Sequence, residues 1–311
     1  MTGQLVEAAS GVHVWAERFD GALDDVFDLQ DRITSGVVVA MLPTLELAEI
    51  ERSRRKPTGS LAAYDYYLQG RALHGKHTNE ANDDAIALFQ RAAKLDPTWA
   101  LPVAHTAECF KRRLEWGWST DTERDVTEAA TFARRAMGID SADGRALAFA
   151  GSALMLAQPW EAANLLDRAI AFDPNYPPAW NWRGWTALVI GEKNAGRYFE
   201  SALRLSPAFP GRYWMQVGLA ATHVVDGRYD EAASLLSSVL RQHPTQHLAL
   251  LLHTVSLALA GRSNEAQRAR DSLSRNVPTI RASNVGNWAP TRDQRTLDLL
   301  TQGLRAAGLP D

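Results

Sequence analysis

The chain has 311 residues, 46% hydrophobic and 22% charged, and its net charge of −3 argues against a nucleic-acid partner. A single cysteine, Cys109, excludes an internal disulfide and suits a reducing compartment. The opening MTGQLVEAAS lacks the basic-then-apolar pattern of a secretory signal. The most apolar run, 248–261, is too short for a bilayer and holds His253, Thr254 and Ser256, so a cytoplasmic protein is expected.

Residues 3–19 read as two strands, GQLVEA and VHVWAERF, turning at Ala9-Ser10-Gly11. Two strands are marginal alone in water, so Met1 is not expected to be a natural domain boundary. From Leu23 the period becomes helical through Phe27, Ile33, Val37 and Met41, until Pro43. The stretch ERSRRKPTGS, with four basic residues in 51–56, reads as a solvated linker and places a domain boundary near residue 56.

Beyond it one pattern recurs. In Gly227 to Pro244, a small Ala232, a large Leu236 and an apolar Val239 precede the closing Pro244. Ala permits close helix crossing, helical spacing puts the three on one face, and Pro ends the helix. The same register runs through Ala85-Phe89-Ala92 to Pro97, Ala129-Ala133-Ala136 to Ser141 and Ala162-Leu166-Ala169 to Pro174. It continues through Ala195-Phe199-Ala202 to Pro207 and Ala266-Arg270-Leu273 to Pro278, where Arg270 departs from the pattern. Successive closing positions lie 44, 33, 33, 37 and 34 residues apart. Residues 279–287 read as irregular. A last amphipathic helix then carries Leu297, Leu300 and Leu304 and stops at Gly308 and Pro310, as a cap for the last core face.

Residues 61–278 thus resemble tetratricopeptide repeats, a family of 34-residue helix pairs. Trp180 and Gly184 match its W-x₂-L-G opening, with Arg183 where Leu is usual. More narrowly, TGQLVEAASGVHVWAERFDGALDDVFDLQDRI, RRKPTGSLAAYDYYLQGRAL and GLRAAGLPD are similar to the C-terminal half of bacterial signalling proteins. Those place a nucleotide cyclase or winged-helix domain first, a small TolB-like α/β domain next, and such repeats last. The resemblance implies a mainly α, right-handed solenoid of about twelve helices with an N-terminal β-hairpin and helix. Residues 1–56 would be the end of a TolB-like domain, 57–278 about six repeats, and 279–311 a capping segment. The family's catalytic aspartates lie upstream and match nothing in this chain.

Phosphate loops, G-x-S-x-G and H-E-x-x-H are absent from the sequence, so no catalytic residue, metal or cofactor is expected. His74, His77, His243 and His247 read as surface residues and Cys109 as a buried thiol. In tetratricopeptide repeats the first helix of each pair lines the concave face. By that register the first two repeats offer Arg71, His74, Lys111 and Arg112. Later ones offer Leu147, Leu154, Trp185, Leu188, Trp214, Val217, Val224, Leu251 and Val255. The expected function is a non-enzymatic scaffold binding a protein or peptide in that face. Homo-oligomerisation through the hairpin or the apolar face is the other expected contact. The alternative is a regulatory arm of a nucleotide-cyclase or transcription-regulator system; a hydrolase or transferase ranks last.

Overall fold

The structure, a computed structural model, describes residues 2–6, 13–18, 63–206, 209 and 211–311. The expected helix at 23–42, the linker near residue 56 and Pro207 lie outside the described residues. Strands β1 (Thr2–Val6) and β2 (His13–Arg18) pair antiparallel, Gly3 opposite Glu17, with a register irregularity between Leu5 and Val6.

Twelve helices follow among the described residues: α1 (Ala63–His74), α2 (Asn79–Leu95), α3 (Ala100–Glu115), α4 (Thr122–Ile139), α5 (Gly144–Leu154) and α6 (Pro159–Phe172). Then come α7 (Pro177–Ile190) and α8 (Gly196–Leu205), α9 (Arg212–Val225) and α10 (Tyr229–Gln242), and α11 (His247–Leu259) and α12 (Ser263–Asn276). No strand lies among the described residues of 63–278. Every apolar residue of the recurrent register is buried, from Ala85, Phe89 and Ala92 to Ala266 and Leu273. Arg270 is half-buried, and its guanidinium pairs with Asp271.

The chain divides into two compact units. The first comprises Met1–Ala153, Ala171–Tyr176 and Arg204–Pro210, the second Leu154–Ile170, Pro177–Leu203 and Gly211–Asp311. Glycine sets the helix spacing in both. A Cβ on Gly70 would stand 2.7 Å from the Phe89 ring in the first. In the second, Phe199 of α8 enters where α7 and α9 present glycine: a Cβ on Gly184 would lie 2.8 Å from its ring, and one on Gly218 only 2.2 Å. Arg183, in place of the usual Leu, is buried because Asp167 and Glu192 accept from it at 2.7 and 2.8 Å and its guanidinium covers the Tyr198 ring.

Residues 279–287 differ from expectation. A 3₁₀ turn at Ala282–Asn287 is pinned by Asn284, whose Oδ1 accepts from Arg281 N at 2.8 Å and whose Nδ2 donates to Thr279 O at 2.9 Å. Such side-chain turns leave no periodic signature. The final helix α13 (Gln294–Ala306) begins at Asp293, whose carboxylate accepts from Thr296 N. It ends at Gly308 (φ +84), where Leu309 N donates to Leu304 O and Gly308 N to Arg305 O, closing a Schellman motif.

Candidate functional site

In the first unit the four expected basic positions part company. Lys111 is enclosed: its Nζ lies 2.8 Å from Ser152 Oγ, 3.3 Å from Glu108 and 3.2 Å from Glu115. Ser152 Oγ donates in turn to Glu108 at 2.9 Å. Burial, the largest single influence, pulls the Lys111 ammonium down, but the two carboxylates together hold it above 10.5. Its charge is spent inside the unit. Arg112 donates to His74 O, one of the carbonyls that the end of α1 leaves without a helical partner.

His74 and Arg71 are half-buried on α1. The His74 ring lies 6.2 Å from that of His105, which packs among Tyr67, Phe89 and Phe149 at 5.2, 5.0 and 3.7 Å. Burial first, then the nearby arginines, holds both imidazoles well below 6.5, so both are neutral at pH 7. His105 Nδ1 donates to Leu101 O. The pattern did not identify His105, Glu108 or Ser152; the Glu108–Lys111 spacing of three and the Lys111–Glu115 spacing of four were the available signals.

Cys109 is fully buried, and burial pushes its thiol far up. It should therefore resist an aromatic disulfide reagent in the folded chain and react fully once urea unfolds the first unit. Rapid reaction of the folded chain would place it outside the core.

In the second unit Trp185 is buried, its ring edge-on to Phe199 at 5.4 Å and to Trp214 at 5.6 Å. Val217 is fully buried; Trp214 and Leu188 are half-buried. Trp214 stacks on Tyr213, which meets His243 at 4.1 Å. Trp185 and Trp214 thus touch, while Val217 belongs to the core. The C-terminal segment enters this region. Thr291 Oγ1 donates to Leu188 O at 3.2 Å, Arg292 N to Val189 O at 3.0 Å, and the Arg292 guanidinium to Leu156 O. Further along, Gly303 of α13 lies on Val255 of α11. Gln158, Trp160, Glu161, Ile190, Arg292 and Gln294 help line a cleft of about 630 Å³, with Trp160 72% exposed. Among the described residues, no group of three His, Cys, Asp or Glu side chains could hold a metal ion, and no helix is long and apolar enough to cross a membrane.

The chain matches no protein-family profile. Over 68% of its length it superposes on half of human IFIT1, solved as a dimer with m7Gppp-AAAA, with a TM-score of 0.54 at 15% identity. Over 70% it superposes on 93% of Pseudomonas aeruginosa pilF, with a TM-score of 0.51 at 22% identity. The chain has the tetratricopeptide-repeat fold. One curated relative of this repeat chain is a putative adenylate cyclase 3 of Rhizobium meliloti (strain 1021), 27% identical over 143 residues. That match covers 46% of the chain but only 24% of the relative.

Proposed function

We propose that the chain is a non-enzymatic interaction scaffold whose second unit receives a protein segment on the face formed by Trp185, Leu188 and Trp214. One observation carries this reading. The same unit already receives a segment, the chain's own 291–306, through bonds to the Leu188 and Val189 carbonyls and through Gly303 against Val255. The net charge of −3 supports a protein occupant over a polyanion. Arg71 and Arg112 of the first unit form a secondary contact for an acidic segment, while His74, neutral and with a buried Nε2, and Lys111, turned inward, contribute none.

A photo-reactive benzophenone side chain at position 214 or 188 tests the reading. In the source cell it should form an adduct with one defined second protein. The same group at Ser234, on the exposed side of α10, should not. Equal adducts at 234, or none at 214 and 188, overturn the reading.

The partial match to a putative adenylate cyclase favours a second reading, in which the scaffold is the regulatory arm of a cyclase-containing or transcription-regulating protein. Adducts that contain a cyclase or a DNA-binding protein identify this arm. Adducts with another copy of this chain identify a homo-oligomer.

A further inference from the structure

We infer that α13 holds, as an internal competitor, the place of the partner, and that this partner is an amphipathic helix with a small residue set between two leucines. The inference deepens the scaffold reading and rests on it. Its first support is where α13 sits. Each helix from α10 to α12 packs on the one before it, whereas α13 packs chiefly on α11. It leaves most of α12 uncovered. That helix needs no cover: Glu265, Arg268, Asp271 and Arg275 stud it, and only Ala266 and Leu273 are buried.

The second support is the fit. A Cβ at Gly303 would come within 2.6 Å of Val255 Cγ1 and 3.2 Å of its Cα, so backbone as well as side chain bars any larger residue. Leu300 and Leu304, on either side, are buried, while Gln302 and Arg305 face solvent. The contact with α11 therefore recognises a Leu-x-x-Gly-Leu face, while Leu297 lies against Gly286 of the 3₁₀ turn. Ala307, past the helix, anchors that end among Ala233, Leu257 and Ala266.

The third support is asymmetry. From Gln294 to Leu299 no residue of α13 is buried; Leu297 and Leu299 are half-exposed. This half is held by the bonds from Thr291 and Arg292 to Leu188 O, Val189 O and Leu156 O. Of these bonds the one from the Arg292 guanidinium is exposed, and water replaces it at little net cost, so release starts at Arg292. A competing helix then meets the Val255 seat as α13 leaves it.

A labelled peptide spanning 291–311 is the probe, added in trans to the full chain. Wild type should bind it weakly, because apparent affinity scales with the fraction of chains whose seat is empty. Gly303→Leu in the chain should raise that affinity by at least about tenfold, with faster amide exchange over 294–306 and unchanged exchange over 232–239. Arg292→Ala, which changes an exposed side chain, should raise it by about threefold or more. Equal affinity for wild type and both variants overturns the inference. So does a partner adduct at position 214 that a large excess of the peptide fails to diminish, although that outcome leaves the scaffold reading standing. Peptide capture by the variants without any partner adduct supports the internal seat and defeats the scaffold reading.

Discussion

Phe199→Ala should be the most damaging single truncation in the second unit, at about 3–5 kcal/mol, because it empties a fully buried aromatic site between two helices. The ring fills the space that Gly184 and Gly218 leave open, and Trp185 meets it edge-on. Neither helix can collapse inward without losing its contact with α8. Gly218→Ala tests the same contact from the other side. In an ordinary helix interior that change stabilises by about 1 kcal/mol. Here the added carbon stands 2.2 Å from the Phe199 ring, so overpacking should reverse the sign and cost about 1–3 kcal/mol. Gly138→Ala, in α4 with nothing within 4 Å, should behave in the ordinary way and gain about 0.5–1 kcal/mol. Urea midpoints of the second unit read the first two changes, and those of the first unit the third, provided each unit's transition slope is unchanged. In the double variant Phe199→Ala with Gly218→Ala, the cavity accepts the new methyl and the combined cost falls below the sum. Strict additivity would mean that the ring and the glycine do not share this space.

That contact shows what a repeat sequence makes legible. Ala195, Phe199 and Ala202 mark the buried face of α8 because their spacing matches the helix, and the same rule located every second helix. The glycine on the facing helix was legible at Gly184 through its family motif, but Gly218 has no such marker. Charged positions were read worst. Arg71 and Lys111 both fall on the first-helix register, yet Lys111 turns inward because Ser152, 41 residues away, completes a polar site around it. No local pattern encodes a partner at that distance. The C-terminal helix was legible as amphipathic through Leu297, Leu300 and Leu304. Its seat was not, since helical spacing says which face is apolar and nothing about which helix that face meets. Gly303 was the missed signal: a glycine between two buried leucines in a helix interior is costly unless something approaches closely, and here Val255 does.

Lys111→Met should destabilise the first unit by about 3–5 kcal/mol, because it strips the cation from a buried carboxylate that cannot reach water. Glu108 is 5% exposed at its side chain and would keep only the Ser152 hydroxyl as a donor within this cluster. The loss should depend on pH in a defined direction. In the wild type the Lys111 ammonium titrates above its ordinary 10.5, so its contribution is fully present below that pH and fades only as pH rises beyond it. Wild-type stability between pH 5 and 8 therefore owes nothing to Lys111 changing charge. In the variant a buried carboxyl without its cation binds a proton more tightly in the folded than in the unfolded chain. A carboxyl raised in this way supports folding below its ordinary titration range and opposes it above. The variant's deficit should accordingly be largest near pH 8 and shrink as pH falls towards 5. Burial already pushes Glu115 up against the pull of Lys111, and losing that pull moves it in the same direction. Its side chain is a third exposed, so solvent keeps its share small. Glu108→Gln with Lys111→Met removes both charges and should recover most of the stability and flatten the pH dependence. Chemical denaturation of the single and double variants at pH 5 and pH 8 decides the matter: a deficit that is equal at both pH values, or that the double variant fails to relieve, would show that Lys111 acts through packing rather than through its charge.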